Sequence, residues 1–155
     1  MAVTISVYNK FRATITGGET AQSANSPVDY LSDGVNLALV TNTYTPSLTA
    51  DDYWNDVVAN ELATASGYTA NGVATGSKTV AESSGTATYD AADPSWTFTA
   101  NVAFRYGVFY DRTPATDATR PLMFLVDFVG SGSNLSVPAS VFTVTLNASG
   151  LFTIT

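Results

Sequence analysis

The sequence contains neither cysteine nor histidine. Without cysteine there is no disulfide, no thiol nucleophile and no thiolate ligand for a metal. Without histidine there is no Ser-His-Asp triad and no imidazole ligand. The two absences exclude a large share of hydrolase and zinc-site chemistry. The lack of cysteine also fits a chain made in a reducing cytoplasm.

Charged residues are scarce, at 12% of the 155 residues, where about 25% is usual for soluble domains. The formal net charge is −7, and the six cations are Lys10, Arg12, Lys78, Arg105, Arg112 and Arg120. These cations are spread along the chain and form no patch that could follow a phosphate backbone, so we expect no nucleic-acid partner. A sparsely charged surface is compatible with being covered by another protein.

Long hydrophobic runs are also missing. The longest apolar run, residues 122–126, is far shorter than the ~20 residues that span a bilayer. Residues 1–7 alternate in polarity, and the first cation, Lys10, follows them rather than preceding them. This is not the pattern of a signal peptide. We therefore expect no membrane partner and no export by the usual signal.

What remains is a length suited to one domain, residues 1–155, and many hydroxyl and β-branched residues. This composition predicts an all-β fold with one short helix. The expected architecture is a two-layer antiparallel β-sandwich, jelly-roll-like, with about eight strands. Because Val3, Ile5 and Val7 alternate with polar residues, residues 1–8 are predicted to form a first strand or an extended N-terminal arm.

The longest two-faced stretch, residues 101–110, is the centre of the predicted fold. Its alternating apolar positions are Val102, Phe104, Tyr106, Val108 and Tyr110. A period of two predicts a strand with one face in the core, and we expect a break upstream near Thr99. Residues 35–40 and 122–128 carry apolar side chains on both parities, which predicts strands buried on both faces.

A helix is predicted from Thr49, as its N-cap, to about Leu62, since apolar residues follow at helical spacing. Residues 9–16 are ambiguous between a short helix and an extended segment. Ser83-Ser84-Gly85 predicts a hairpin between residues 78–82 and 86–89. A final hairpin is predicted to join residues 141–147 to residues 151–154.

The most tempting chemical motif is Gly-Val-Ala-Thr-Gly-Ser-Lys-Thr at residues 72–79. It has the spacing of a phosphate-binding loop, but Ser77 replaces the last glycine. The motif also requires a helix after the loop, whereas the residues that follow predict a strand. A surface turn is therefore favoured over a nucleotide site.

Paired carboxylates could support glycosidase-like acid–base chemistry. Four candidates lie near predicted strand ends: Asp90, Asp93, Asp111 and Asp127. Two others, Glu61 and Glu82, lie elsewhere. Their positions along the sequence do not predict that any two of these carboxylates lie together. The spacing of the aspartates at residues 51–56 is not that of a calcium-binding loop. We therefore predict no enzyme, with no catalytic residue, no metal ligand and no cofactor.

Aromatic residues on strand faces are expected to fill the core. The tyrosines in or beside loops, Tyr44, Tyr53 and Tyr68, could instead contact a partner. The partner could be another protein or a sugar that stacks on the rings.

Several segments occur in an order that resembles a recurrent family of small tailed-phage virion proteins. They are residues 8–11, 31–41, 44–46, 52–56, 60–61, 67–72, Trp96, 105–111, 121–122, 126–128 and 142–155. The chain departs from the family pattern between Arg12 and Pro27, where the family is usually helical and this sequence is rich in Thr, Gly and Ser. A first helix is therefore in doubt.

The resemblance implies a non-enzymatic capsid cement or decoration protein, made in the host cytoplasm and located on the virion surface. Such a protein would bind across neighbouring subunits of the major capsid protein, and a homo-oligomer, with a trimer favoured, would match the local symmetry of the shell. The expected interface consists of the N-terminal residues and loop tyrosines Val3, Ile5, Val7, Tyr8, Tyr44, Tyr53 and Tyr68. The alternative is a phage tail or fibre module that binds host surface glycans.

Overall fold

The computed structural model describes residues 4–15, 28–147 and 149–154. The strands are β1 (Thr4–Val7), β2 (Val35–Val40), β3 (Val73–Ala74), β4 (Thr79–Ser83), β5 (Thr86–Asp90), β6 (Ser95–Thr97), β7 (Val102–Phe104), β8 (Tyr106–Asp111), β9 (Leu122–Asp127), β10 (Leu135–Val137), β11 (Val141–Thr143) and β12 (Phe152–Ile154). The described ranges also contain the helix α1 (Asn9–Ile15) and 3₁₀ turns at Trp54–Asp56, Val58–Asn60 and Asp117–Thr119. None of the helices in these ranges has the length and apolar character needed to cross a membrane.

A five-stranded antiparallel sheet, the main sheet, lies at the centre of the molecule in the order β1-β9-β8-β2-β3. Its inner strands β2 and β8 are buried at every position, and β9 is buried at all but its last. A strand covered on both faces needs apolar side chains on both parities, and the sequences of β2 and β9 meet that need. The predictions for residues 35–40 and 122–128 are confirmed.

Among the described residues, three smaller antiparallel sheets accompany the main sheet: β10-β7, β11-β6 and β12-β5-β4. The larger apolar core joins one face of the main sheet to these sheets and to α1. Phe109 and Phe124 of the main sheet meet Phe11 of α1 and Phe104 of β7 within it. The predicted all-β, sandwich-like fold with one helix is confirmed.

The opposite face of the main sheet carries a second core. Its members are Tyr8, Ala38, Val40, Tyr44, Trp54, Val57, Tyr106, Val108, Tyr110, Leu122 and Leu125. The segment that contains the first two 3₁₀ turns supplies Trp54, whose ring stacks on that of Tyr110 with centroids 4.2 Å apart. This cover explains why β8 is buried on both faces.

Residues 101–111 therefore differ from the prediction of one strand with a single buried face. They form two strands in different sheets, β7 and β8, with Arg105 between them. The backbone N–H of Arg105 donates to the carbonyl of Val40, and its guanidinium pairs with Asp127. The break expected near Thr99 is confirmed, since β6 ends at Thr97 and β7 begins at Val102.

The predicted helix from Thr49 to Leu62 is wrong, because this segment forms two 3₁₀ turns. Asp56 caps the first of them: its Oδ2 accepts the backbone N–H groups of Asp52 and Tyr53 at 2.9 and 3.0 Å. The α-helix lies instead at Asn9–Ile15, the stretch that the sequence left ambiguous. Burial of Phe11 in the larger core stabilises it there, so tertiary packing outweighs a weak local preference.

Strands β4 and β5 form the predicted hairpin, with Ser84 and Gly85 as the two turn residues at φ of 53° and 80°. The predicted final hairpin is wrong, because β11 pairs with β6 and β12 pairs with β5. The two segments are anchored in different places: Phe142 packs beside Trp96, while Phe152 stacks on Tyr89. The described ranges contain twelve strands, more than the expected eight.

Candidate protein-binding surface

The first strand lies at an edge of the main sheet. β1 pairs with β9 along one side, from Thr4 opposite Asp127 to Val7 opposite Phe124. Among the described residues no strand pairs with its other side. Residues 4–7 are thus a strand rather than an extended arm, and their outer backbone groups have no strand partner within the described ranges. Val3, also predicted to be an interface residue, lies outside the described residues.

Ile5 presents the most exposed apolar side chain of this edge strand, with 48% of its surface accessible. It lines an apolar cleft of about 370 Å³ whose other walls include Val126, Val144, Leu146 and Leu151. Val7 is half-buried and lines a second cleft of about 330 Å³, with Phe11, Ile15, Phe152 and Ile154. In the part of the chain that the structure describes, the β1 edge therefore combines a backbone side that no other strand pairs with and apolar side chains beside concave surfaces.

Tyr8 and Tyr44 belong to the second core, which corrects their sequence-based placement at a surface. Tyr8 is fully buried and its hydroxyl lies 2.9 Å from that of Tyr44. Tyr44 in turn donates to Oδ2 of Asp51 at 2.6 Å. Burial raises the pKa of both tyrosines, so both hydroxyls stay protonated and serve as structural donors.

Tyr68 is buried as well, so its placement at an interface is also corrected. Its hydroxyl donates to Oε1 of Glu61 at 2.7 Å and accepts the backbone N–H of Leu39 at 3.0 Å. The backbone N–H of Asn71 donates to the same Glu61 oxygen at 2.6 Å. We call Glu61, Tyr68 and Asn71 the Glu61 network. Burial raises the pKa of Glu61 above its ordinary value.

Tyr53 is the one loop tyrosine of the three that keeps a partly accessible ring. The ammonium group of Lys10 lies 5.2 Å from the centre of that ring, a cation–π distance. Of the seven residues expected at an interface, Ile5, Val7 and Tyr53 thus retain accessible surface in this structure.

The candidate carboxylates are held in separate structural networks. Asp93 accepts the backbone N–H of Leu146, and Glu82 accepts that of Gly85. Asp111 is buried, which raises its pKa, and it accepts the backbone N–H of Thr113 at 2.8 Å. In the ranges that the structure covers, no group of three or more acidic side chains is arranged to hold a metal.

The residues of the phosphate-loop-like motif lead into a strand, as predicted. β3 follows Gly72, and β4 begins at Thr79 directly after Lys78. A phosphate-binding loop requires the N-terminus of a helix at this point. Lys78 donates to the backbone carbonyl of Asp33 and lies over the ring of Tyr30.

The ion pair between Arg105 and Asp127 gives a first testable prediction. Asp127 accepts the Arg105 guanidinium at 2.8 Å, and this hydrogen bond lowers the pKa of Asp127 to about 2. A carboxyl whose pKa is lower in the folded state stabilises the fold above its ordinary pKa. That stabilisation is lost as the pH falls from about 4 to about 2.

We therefore expect Asp127→Asn to lower the free energy of unfolding by about 1 kcal/mol at pH 6, because solvent screens this partly exposed ion pair. The deficit should be smaller at pH 2, where about half of the wild-type carboxyl is protonated in the folded state. Urea denaturation at both pH values measures this difference. A deficit of equal size at both pH values would contradict the electrostatic origin.

The sequence did not indicate the cleft beside Ile5, because residues 141–147 and 151–154 were assigned to one hairpin. The cleft exists because β11 and β12 join different sheets, which leaves Leu146 and Leu151 beside the β1 edge. No local pattern in the sequence marks such a separation.

Comparisons of the chain with protein-family models, with curated proteins and with solved structures found no match.

Proposed function

We propose that this chain is a non-enzymatic structural protein of a tailed-phage virion, namely a cement or decoration protein. It binds across neighbouring subunits of the major capsid protein and stabilises the shell. The observation that carries the proposal is the open β1 edge, where Ile5 is half exposed beside an apolar cleft. An unpaired edge offers backbone hydrogen bonds, and the apolar side chains beside it offer surface to bury.

Two further features support this role. The order of family-like segments described above resembles that of small tailed-phage virion proteins. In addition, the scaffold behind the β1 edge is tied by aromatic contacts, such as Phe124 with Phe11 and with Phe152. Because a cement protein binds the assembled shell and not its separate subunits, binding at many sites favours the assembled state by mass action.

A closed trimer is the oligomer that suits the threefold positions of an icosahedral shell. We expect sedimentation velocity of the purified full-length chain to give a mass three times that of one chain. A single-chain mass at every concentration tested would overturn the trimer and leave shell binding to be tested separately.

Cryo-electron microscopy of purified particles of the phage that encodes the chain tests the location directly. We expect density for the chain on the outer surface of the shell, between neighbouring capsid subunits. Absence from mature particles would overturn the proposal. Density confined to the tail would favour the glycan-binding alternative, although burial of Tyr44 and Tyr68 removes two of the rings that a sugar would stack on.

Ile5→Lys is expected to weaken binding to shells at least about tenfold, because it places a charge in the apolar contact and because lysine at an edge opposes strand addition. Since the side chain is 48% exposed, the free energy of unfolding should change by less than about 1 kcal/mol. Co-sedimentation with shells that lack the protein measures the binding.

Val80→Lys is the matched control. Val80 is also β-branched, 39% exposed and on an edge strand, β4, of the three-stranded sheet. Equal losses of binding in the two variants would contradict a role specific to β1. Deleting residues 1–8 is a poorer test, because it removes the edge strand of the main sheet and also Tyr8 from the second core.

A further inference from the structure

Asn71 and Gly72 form a turn that directly precedes β3, with φ values of 73° and 68°. Positive φ is tolerated by Asn and is freely accessible to Gly. The backbone of Gly72 also lies against the inner strand β2: a Cβ atom at this position would stand 2.0 Å from the carbonyl oxygen of Leu37. The fold thus requires glycine here, directly after an asparagine.

An Asn-Gly pair has an intrinsic reactivity of its own. The backbone nitrogen of the glycine attacks the side-chain carbonyl carbon of the asparagine, and glycine has no side chain to shield that approach. The new N–C bond closes a succinimide ring, and the side-chain amide nitrogen leaves as ammonia. Water then opens the ring to give aspartate or isoaspartate, so the reaction needs no oxidant, reductant or other co-reactant.

The native structure engages the attacking nitrogen. The backbone N–H of Gly72 donates to the carbonyl oxygen of Thr69 at 3.1 Å, so the attacking nitrogen is already held in a hydrogen bond. The backbone N–H of Asn71 is held by Glu61 Oε1 at 2.6 Å, and that carboxylate also accepts the Tyr68 hydroxyl. Attack requires the backbone around Asn71 to rotate, and these bonds oppose that rotation.

The carbonyl group of the Asn71–Gly72 peptide bond is also held by hydrogen bonds. The carbonyl oxygen of Asn71 accepts Nδ2 of Asn36 at 2.8 Å and the hydroxyl of Tyr110 at 3.1 Å. Asn36 and Tyr110 stand on the inner strands β2 and β8. The peptide group that must turn for ring closure is therefore fixed to the most buried part of the main sheet.

We propose that Asn71 is a site of deamidation that the Glu61 network and the main sheet keep unreactive, and that it reacts when residues 61–72 open. Both products disfavour the native turn. Aspartate at position 71 adds a negative charge to the residue whose backbone N–H bonds to Glu61. Isoaspartate adds a carbon to the main chain where the backbone of Gly72 has no space against β2. Opening of this segment therefore leaves a permanent chemical mark, independently of any role in a capsid.

The test is to incubate the full-length protein at pH 8 and 37 °C, folded in buffer and unfolded in urea, and to follow the amide-to-acid conversion by peptide mass spectrometry. We expect Asn71 to convert at least about tenfold faster in the unfolded chain, because the folded chain must first open locally. Asn36, Asn134 and Asn147, which are followed by Leu, Leu and Ala, are internal controls that should keep their amides. Equal rates in the folded and unfolded chain, or an unreactive Asn71 in urea, would overturn the proposal.

A variant separates local opening from global unfolding. Glu61→Ala removes the acceptor for Asn71 and Tyr68, so conversion at Asn71 should accelerate severalfold in protein that circular dichroism shows to be folded. Glu61→Gln keeps an acceptor oxygen and should restore most of the protection. If Glu61→Ala does not fold, wild-type protein in urea below its unfolding transition supplies the same comparison. If the rate of conversion at Asn71 did not change with urea concentration below the transition, protection by local structure would be contradicted.

Discussion

Gly72→Ala is expected to lower the free energy of unfolding by about 4 kcal/mol or more. At φ of 68° an alanine is strained by roughly 1–2 kcal/mol. In addition, its Cβ would stand 2.0 Å from the carbonyl oxygen of Leu37 and 2.6 Å from Cα of Ala38. These are backbone atoms of an inner strand, so neither can move without disturbing the main sheet. Urea denaturation, or a loss of folded protein on expression, measures the effect.

Gly76→Ala is the control for this substitution. At Gly76 no heavy atom lies within 4 Å of the position that a Cβ would take, and its φ is not in the left-handed region. The change should therefore alter the free energy of unfolding by no more than about 0.5 kcal/mol, with slight stabilisation possible through reduced entropy of the unfolded chain. Similar losses in both variants would show that the close approach to β2 is not the cause.

Phe124→Ala is expected to destabilise the protein by about 3–5 kcal/mol. Phe124 is fully buried on β9, and its ring lies 5.0 Å from that of Phe11, 6.0 Å from that of Phe109 and 4.8 Å from that of Phe152. One side chain thus connects α1, β8 and β12 within the larger core. Truncation would leave a cavity at the point where these elements meet, and thermal and urea unfolding would both report it.

Val141→Ala is the matched surface change, since Val141 is 66% exposed on β11. Its effect should stay within about 0.5 kcal/mol. The loss of free energy of unfolding for Phe124→Leu should lie between those for Val141→Ala and Phe124→Ala, because leucine fills part of the space that alanine leaves empty. A loss for Phe124→Ala no larger than that for Val141→Ala would contradict the central position of this ring.

The elements that the sequence predicted correctly are those with strong local signals. Residues 35–40 and 122–128 are apolar at nearly every position, and only a strand with both faces covered satisfies that composition in a β-fold. Ser84-Gly85 supplies a two-residue turn between alternating segments, and that turn chemistry sets the hairpin register without help from the rest of the chain. The all-β class follows from the same kind of information.

The candidate surface was predicted less completely. Ile5 and Val7 were identified from simple alternation, and both lie on an edge strand with accessible surface. Tyr44 and Tyr68 lie in or beside loops, yet both rings are buried in the cores, and their hydroxyls donate to Asp51 and Glu61. The residues around a tyrosine near a turn do not indicate whether its hydroxyl will donate a hydrogen bond to a carboxylate elsewhere in the fold.

The amino-acid sequence by itself determined the β-rich class, the doubly buried strands and the turn of the β4–β5 hairpin. Only the tertiary structure decided that residues 101–111 divide between two sheets at Arg105 and that Asn9–Ile15 is the helix. It also decided that β11 and β12 part to leave a cleft beside Ile5. The physical reason is that local signals report the polarity and flexibility of neighbouring residues. Pairing between strands depends on contacts between residues far apart in the chain, such as Phe124 with Phe152 and Arg105 with Asp127.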